Sequence, residues 1–181
     1  MAYVKRVALL IELLTLAAMM TACQNMPEPY MPPQQRSPLE EFRPYRATRL
    51  VQMADSDAPA FFVQDIGGLE GNWRWAGKRP TLRLRPRANE GLHYVIDFTL
   101  PDVTFKETGP VTVSFYVGGR ALASEHYASA GARHFDQEVP PDWIVPGQDT
   151  LVAAEIDKVW VSKTDGAKLG FVLAAMGLTQ P

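Results

Sequence analysis

The chain has 181 residues, of which 46% are hydrophobic and 21% are charged, values typical of one globular domain with additional segments. The formal net charge of -2 argues against a nucleic-acid-binding protein, which would carry an excess of lysine and arginine. Cys23 is the single cysteine, so an intramolecular disulfide and a cysteine-based metal cluster are excluded. Burial of apolar side chains must therefore stabilise the fold.

The first 22 residues have the order of a secretory signal. Lys5 and Arg6 precede an apolar run at 7–20, and small residues follow it. A helix of about fourteen residues would be about 21 Å long, too short for a hydrocarbon core of about 30 Å. The run is therefore interpreted as a signal segment rather than a permanent span. The alternative, an ordinary N-terminal helix, is disfavoured because six prolines follow at 24–47.

The motif Met20-Thr21-Ala22-Cys23 resembles the lipobox of bacterial lipoproteins. The resemblance covers about the first 23 residues. It departs from the family pattern at Met20, where leucine is usual, and at Glu12, a carboxylate inside the apolar run. It implies that Cys23 is lipidated, with palmitate among the acyl chains, and that the protein is anchored to a membrane of the cell envelope. Gln24 after the cysteine resembles the pattern of lipoproteins sorted to the outer membrane of diderm bacteria.

A proline-rich tether is predicted at 23–47, beginning with the lipidated cysteine. Prolines fix φ and bias the preceding residues towards extended conformations. At about 3.1 Å per residue, the tether would hold a domain up to roughly 70 Å from the bilayer. A spacer is favoured over ordered structure here, although Leu39, Phe42 and Tyr45 are candidates for docking on the folded part.

From residue 48 the pattern is that of β-strands. Residues 111–117 alternate between apolar and polar side chains, and Gly118-Gly119 predicts a two-residue hairpin turn into 120–123. Further strand candidates are 61–66, 73–75, 80–86, 93–100, 133–139, 150–156 and 169–178. The last is apolar on both faces, which predicts a central strand. Because no long helical pattern separates these segments, residues 48–181 are predicted to be all-β, an antiparallel and jelly-roll-like β-sandwich.

A second, weaker resemblance involves three short motifs. They are Gly68-Leu69-Glu70-Gly71-Asn72-Trp73-Arg74-Trp75, Leu169-Gly170-Phe171 and Met176-Gly177-Leu178. Together they resemble a β-sandwich module of exported bacterial proteins, including carbohydrate-active ones, over about residues 60–180. The resemblance implies the fold and a location outside the cytoplasm, and it implies no catalytic residues.

No catalytic or metal-binding pattern is present in the sequence. The stretch around Ser129, with His126 nearby, lacks the first glycine of a G-x-S-x-G nucleophile motif. The three histidines lack the spacing of zinc ligands. Asp157 and Asp165 are candidate calcium ligands, but the preference of aspartate for turns accounts for them equally well. The alternate arginines at 83, 85 and 87 favour the solvated face of a strand over a phosphate-binding ridge.

Aromatic side chains are the remaining binding candidates, because flat rings stack on sugars and bury a large area at low entropy cost. The candidate ligand-binding residues are Trp73, Trp75, Tyr94 and Trp160. Trp73 and Trp75 share one face of a strand, and flanking glycines leave room for a ligand. The competing interpretation, favoured for the tryptophans, is that these rings fill the core of a sandwich without disulfides.

Two functions remain open. The favoured one is a noncatalytic binding or structural module of a membrane-anchored cell-envelope lipoprotein, with a polysaccharide or an envelope protein as its partner. The alternative is a small anchored hydrolase or accessory enzyme whose site the residue patterns do not reveal. The first hypothesis requires no cofactor, metal or nucleic acid. Exposure of the candidate rings distinguishes the cases, since a coplanar exposed pair favours sugar binding and full burial favours a structural role.

Overall fold

The computed structural model describes residues 49–180. The strands in this part of the chain are β1 (Leu50–Gln52), β2 (Phe62–Glu70), β3 (Trp73–Leu84), β4 (His93–Leu100), β5 (Val111–Val117), β6 (Arg120–Tyr127), β7 (Gly131–Glu138), β8 (Thr150–Ile156), β9 (Trp160–Val161), β10 (Lys168–Leu169) and β11 (Phe171–Thr179). The helical elements are α1 (Asp102–Thr108) and two 3-10 turns, Ala58–Phe61 and Pro141–Trp143. None of the helices at 49–180 has the length and hydropathy needed to cross a bilayer. The predicted signal segment, the lipidation site Cys23 and the tether at 23–47 lie outside the described residues.

The strands form two facing walls that share the long strand β3. The first wall has the order β6-β5-β8 and continues into the second half of β3, where Thr81 pairs with Ala153. The second wall has the order β7-β4-β11 and continues into the first half of β3, where Arg74 pairs with Leu173. All these pairings are antiparallel. The prediction of an all-β antiparallel sandwich is confirmed, and β3 makes the two walls one curled sheet.

The core lies between the two walls and is rich in aromatic rings. Phe115 on β5 and Phe135 on β7 stack with their ring centroids 3.8 Å apart and their planes at 14°. Tyr94 and Phe98 on β4 each contact Phe115 as well. Full burial of a large apolar side chain stabilises a fold by about 1.5–3 kcal/mol. Along β5 every second side chain is buried, so the face of the wall that carries these side chains is the one that packs against the other wall.

Most of the predicted strands are present, and the structure adds elements that the sequence pattern did not reveal. The hairpin turn is confirmed, with φ values of 58° at Gly118 and 82° at Gly119, a conformation that favours glycine. The two short candidates at 73–75 and 80–86 are one strand, β3, because pairing with β2 continues across the stretch between them. The helix α1, the strand β1 and the small β9–β10 pair were not predicted.

The last strand, β11, is central as predicted, and its glycines permit close backbone contacts. It lies between β4 on one side and β3 and β1 on the other. A Cβ atom at Gly170 would lie 2.5 Å from the carbonyl oxygen of Gly77. A Cβ atom at Gly177 would lie 2.1 Å from the carbonyl oxygen of Arg49. The glycines of both C-terminal motifs are therefore required by packing.

A buried arginine ties the first half of β3 to its surroundings. Arg74 donates hydrogen bonds from Nε to the Met53 carbonyl oxygen at 3.0 Å and from Nη1 to the Gly67 carbonyl oxygen at 3.1 Å. Its guanidinium also lies 5.1 Å from the ring centroid of Phe62. Because the acceptors are backbone carbonyls on two separate segments, Arg74 holds those segments against β3.

Candidate functional site

Trp73 and Trp75 lie together at the start of β3 and do not form a flat platform. Their ring centroids are 5.8 Å apart and their planes are perpendicular. Both rings are partly buried. An edge-to-face pair is a stable packing arrangement, but it does not present two parallel faces to a sugar. The structure therefore shows neither the coplanar exposed pair nor the complete burial that would have distinguished the two interpretations.

The prediction of Tyr94 as a ligand-binding residue is wrong. Its side chain is 0% exposed and contacts the rings of Phe115 and Phe135 in the core. The hydroxyl donates a hydrogen bond to Sδ of Met176 at 3.2 Å, and burial raises the pKa of Tyr94 well above its usual range. Alternation along β4 places this position on the inner face, so the ring packs between the walls.

Trp160 lies apart from the other candidates, in the short strand β9, where it pairs with Leu169 of β10. The ring is partly buried, and its indole Nε1 is buried without a hydrogen-bond partner among the described residues. The ring contact between Trp73 and Trp75 does not include Trp160.

The outer face of the first wall carries a groove. It has a volume of about 290 Å³ and crosses strands β2, β3, β8 and β5. Its polar lining consists of Gln64, Arg79, Thr81 and Tyr116. Its apolar lining consists of Val63, Leu151 and Ala153, with Gly119 at the hairpin turn. Val63 and Leu151 are each 41% exposed, so the groove offers apolar surface next to hydrogen-bonding groups.

Two groove residues, Arg79 and Tyr116, contact each other, and Arg79 also pairs with Glu155, a carboxylate beside the groove. The guanidinium of Arg79 lies 4.3 Å from the ring centroid of Tyr116. Arg79 Nη1 donates to Glu155 Oε2 at 3.0 Å, and Lys78 Nζ lies 3.7 Å from Glu155 Oε1. A guanidinium over a tyrosine ring is attracted by about 0.5–1 kcal/mol where both are partly exposed. The ring and the carboxylate thus orient Arg79 in the absence of a ligand.

A bulge in β2 fixes the backbone of β3 at Arg79. Asp65 has a φ of 57°, and the β2–β3 register shifts on both sides of it. Asp65 Oδ2 accepts the backbone N–H of Arg79 at 2.8 Å, and Gln64 Nε2 donates to the Arg79 carbonyl oxygen at 3.3 Å. Bulges of this kind re-aim side chains next to binding sites. The bulge therefore determines where the Arg79 side chain begins.

Two further arginines continue the outer face of β3 beyond the groove. Arg85 Nε donates to Asp149 Oδ1 at 2.9 Å, and Arg83 Nε lies 4.0 Å from Asp149 Oδ2. Both arginine side chains are about 40% exposed. The prediction that the alternate arginines lie on a solvated strand face is confirmed for Arg83, and Arg85 is equally exposed but follows the last residue of β3, Leu84. Both arginines thus share the carboxylate of Asp149.

His126 and Ser129, the residues of the incomplete serine-hydrolase motif, each contact a different side chain. His126 Nδ1 lies 3.4 Å from Thr112 Oγ1, and the Ser129 hydroxyl accepts a hydrogen bond from Arg133 at 3.0 Å. The two residues of the incomplete serine-hydrolase motif therefore have other partners. Beside the groove, the carboxylate of Glu155 is engaged by two cations, Lys78 and Arg79. This arrangement suits binding better than proton transfer.

The other histidines pair with carboxylates on the outer face of the second wall. His93 Nδ1 lies 2.7 Å from Asp136 Oδ1, and His134 Nδ1 lies 2.6 Å from Asp97 Oδ1. Within residues 49–180, no group of three or more histidine, cysteine or acidic side chains has the geometry to hold a metal ion. Asp157 instead accepts the N–H of Thr112, and Asp165 accepts the N–H of Ala167.

The groove residues were visible in the sequence but were not joined into a site. Tyr116 belongs to the alternating strand at 111–117, and Arg79 belongs to the arginine-rich stretch. The signal that connects them is cross-strand register, in which Tyr116 and Thr81 both pair with Ala153. Alternation shows that Tyr116 faces away from the core, but it does not reveal which strand lies beside it.

No protein-family model and no curated protein sequence matches this chain. Among solved structures, it is similar to the CBM36-1 domain of a multidomain xylanase from the hindgut metagenome of Trinervitermes trinervoides. The identity is 9% and the TM-score 0.44, over 74% of this chain and 97% of that domain. It is also similar to a family 35 carbohydrate binding module from an environmental isolate, at 7% identity and a TM-score of 0.40, over 74% of this chain and 97% of the module.

An acetyl xylan esterase from the rumen bacterium Butyrivibrio proteoclasticus matches at 8% identity and a TM-score of 0.41. The match covers 75% of this chain and 34% of the esterase chain, so this chain corresponds to about a third of that enzyme. Similarities at these TM-scores do not identify a shared site.

Proposed function

We propose that this chain is a noncatalytic binding protein of the bacterial cell envelope, which holds polysaccharide in the groove on the first wall. The observation that carries the proposal is the arrangement of Arg79 over Tyr116, beside Glu155, on an open and partly apolar surface. The predicted lipid anchor at Cys23 and the proline-rich tether would present this groove away from the membrane. Outer-membrane attachment is proposed for a diderm source.

The chemistry of the groove fits the two kinds of surface that a sugar ring presents. Apolar faces of a sugar pack on flat or aliphatic side chains, which the exposed Val63 and Leu151 and the half-buried Tyr116 provide. Hydroxyl groups need donors and acceptors, which the side-chain amide of Gln64 and the guanidinium of Arg79 supply. Binding pockets commonly combine mostly apolar walls with a few oriented polar groups. An open groove, unlike a closed pocket, also permits a chain to extend at both ends.

The groove is tested by measuring binding of the purified chain to a panel of polysaccharides, using affinity electrophoresis and calorimetry. Replacement Tyr116→Ala removes the ring and the support of Arg79. Since each such aromatic contact contributes about 1 kcal/mol, we expect binding to weaken about fivefold or more. Trp73→Ala is the matched control, because it also truncates a partly buried aromatic ring of the sandwich but not one that lines the groove. Tyr116→Phe, which keeps the ring, is expected to bind within about threefold of the original chain.

Three results would contradict the proposal. Loss of binding in Trp73→Ala but not in Tyr116→Ala would move the site to the tryptophan pair. Release of soluble products from a bound polysaccharide would favour the anchored hydrolase. If the chain binds no polysaccharide of the panel but captures an envelope protein, and Tyr116→Ala abolishes that capture, the partner is a protein rather than a polysaccharide. Thermal unfolding of each variant establishes that the fold is retained.

The anchor is tested separately from the groove. Cys23→Ala is expected to abolish labelling by a fatty-acid analogue and to release the chain from the membrane fraction. Several acyl chains bind a bilayer firmly because each buried CH₂ contributes about 0.8 kcal/mol. Cys23→Ser provides a near-isosteric control that also lacks the thiol. Membrane association that persists in both variants would rule out lipidation as the attachment.

A further inference from the structure

We propose that the polysaccharide bound by the groove is acidic and that its carboxylates are bound by the arginines along β3. This inference rests on the proposed function and names the class of ligand. It is carried by the charge on the outer face of β3, by the partners that the arginines have in the structure, and by the length of the arginine row.

Positive charge is concentrated on the segment that borders the groove. Residues 49–180 contain 13 lysines and arginines, and five of them fall at 78–87, where no acidic residue occurs. These five residues are Lys78, Arg79, Arg83, Arg85 and Arg87. The described residues as a whole carry 16 acidic side chains, so their formal charge is negative. A cationic strip on an acidic domain attracts an anionic polymer to that strip and disfavours binding elsewhere.

The carboxylates beside this strip are each shared between cations. Glu155 is bound by Arg79 and by Lys78. Asp149 is bound by Arg85 and approached by Arg83. Because each carboxylate contacts at least two cationic side chains, the cations outnumber the carboxylates in both clusters. A third carboxylate, Asp65, is engaged by a backbone N–H, and the strip remains positive after it is counted.

The geometry of these contacts also indicates which anion suits the strip. A guanidinium presents parallel N–H groups that match the two oxygens of a carboxylate. Arg79 and Arg85 already donate to carboxylates at 3.0 and 2.9 Å, through side chains that are about 40% exposed. An incoming carboxylate therefore finds guanidinium groups that are oriented and still accessible to solvent.

The length of the arginine row favours a polymer over a single sugar. Residues two apart on a strand are about 7 Å apart, so Arg83 and Arg85 are separated by about that distance. Arg79 lies about 13 Å further along the strand and inside the groove. A row of about 20 Å is longer than a single sugar ring, and a polymer with regularly repeated carboxylates would contact several members of it at once. Multivalent contact raises the overall affinity without requiring any one strong ion pair.

The experiment compares polygalacturonate with the same polymer after its carboxyl groups have been reduced to neutral alcohols. We expect the original chain to bind the acidic polymer at least tenfold more tightly, and this preference to shrink as salt rises from about 0.01 M to about 0.15 M. In the double variant Arg83→Gln/Arg85→Gln, the preference is expected to fall to about twofold or less. The variant Lys163→Gln/Lys168→Gln removes the same charge from the β9–β10 region and is expected to keep the preference.

A second variant separates charge from geometry. Arg83→Lys/Arg85→Lys keeps the charge but lacks the planar fork, so we expect a preference between those of the original chain and the glutamine variant. Circular dichroism and thermal unfolding establish that each variant is folded.

Each outcome bears on the inference. Equal binding of the two polymers, with both lost in Tyr116→Ala, would overturn the acidic ligand and leave the proposed function intact. A preference unchanged in Arg83→Gln/Arg85→Gln, or lost equally in the lysine control, would also overturn it. Binding of a single-stranded DNA oligonucleotide as tight as that of polygalacturonate would show a response to charge alone and would overturn the assignment to a saccharide. Failure of both polymers to bind, in a chain that binds nothing in the wider panel, would overturn the proposed function as well.

Discussion

The contact between β1 and β11 gives a sharp test of how the sandwich is held together. Gly177 of β11 faces the backbone of the segment that enters β1, and a Cβ atom there would lie 2.1 Å from the Arg49 carbonyl oxygen and 2.9 Å from Cα of Leu50. Ordinary van der Waals contact begins at 3.4 Å, so the first distance is too short by about 1.3 Å. Both neighbouring atoms belong to the backbone and cannot rotate away. The replacement Gly177→Ala must therefore move β1.

The cost of moving β1 can be bounded from the burial of its residues. A shift that keeps the strand attached resembles overpacking of a core, which costs about 1–3 kcal/mol. Complete detachment would expose Val51 and Met53, both 0% exposed, at about 1.5–3 kcal/mol each. Detachment would also return conformational entropy of about 1–2 kcal/mol per released residue, which offsets part of that loss. We therefore expect the free energy of unfolding to fall by about 1–3 kcal/mol.

Urea denaturation measures the change, and hydrogen exchange locates it. Exchange should accelerate most in β1 and in the half of β11 that pairs with it. Gly68→Ala is the matched control, because Gly68 lies in β2 and nothing lies within 4 Å of the added Cβ. This control is expected to be neutral or slightly stabilising, since alanine restricts the unfolded chain. If Gly177→Ala and Gly68→Ala have the same stability within about 0.5 kcal/mol, the steric argument is refuted.

Two further predictions follow from the core and from the rim of the groove. Tyr94→Phe is expected to change stability by less than about 1 kcal/mol at neutral pH, because it removes one weak hydrogen bond to Met176. Burial raises the folded-state pKa of Tyr94, so its contribution to the free energy of unfolding is complete below the unfolded pKa of about 10 and is lost as pH rises above that value. The free energy of unfolding of Tyr94→Phe should therefore fall less at alkaline pH than that of the original chain. An equal fall in both proteins would contradict this. At the bulge, the free energy of unfolding is expected to fall by about 1–2 kcal/mol in Asp65→Ala and by less in Asp65→Gly. Both variants lose the hydrogen bond from the Arg79 N–H, but only glycine tolerates the φ of 57° without strain. A glycine variant less stable than the alanine variant in urea denaturation would show that backbone strain is not involved.

Alternation and turn chemistry were sufficient to predict the architecture. The strand at 111–117 buries every second side chain, and the two glycines after it adopt positive φ values in the turn. These are local properties that a short stretch of sequence determines by itself. The helix α1 was missed because its seven residues follow a proline and have no long apolar period. The short strand β1 was missed because three residues are too few to show alternation.

The candidate aromatic residues show a different limit. Tyr94 was selected for its ring, but alternation along β4 places it inward together with Ile96 and Phe98, all fully or nearly fully buried. The same period-two rule, applied to the amino-acid pattern at 93–100, favours burial of this ring over exposure. Trp73 and Trp75 were correctly placed on one face of a strand, yet their perpendicular packing depends on side-chain rotamers, which period-two spacing does not determine.

The groove is a product of pairing between strands that are distant in sequence, and this explains why it could not be predicted. Arg79 and Glu155 are 76 residues apart, and their contact requires β3 to pair with β8 in one register. A slip of one residue would turn Glu155 towards the core and remove the carboxylate that orients Arg79. The register is fixed from the opposite face, where Leu82 pairs with Val152 and both are fully buried. Burial on the inner face of the wall therefore positions the polar side chains on the outer face. The shape of the groove depends on the same apolar alternation that forms the sandwich, so a variant that weakens that inner packing should also disturb the groove.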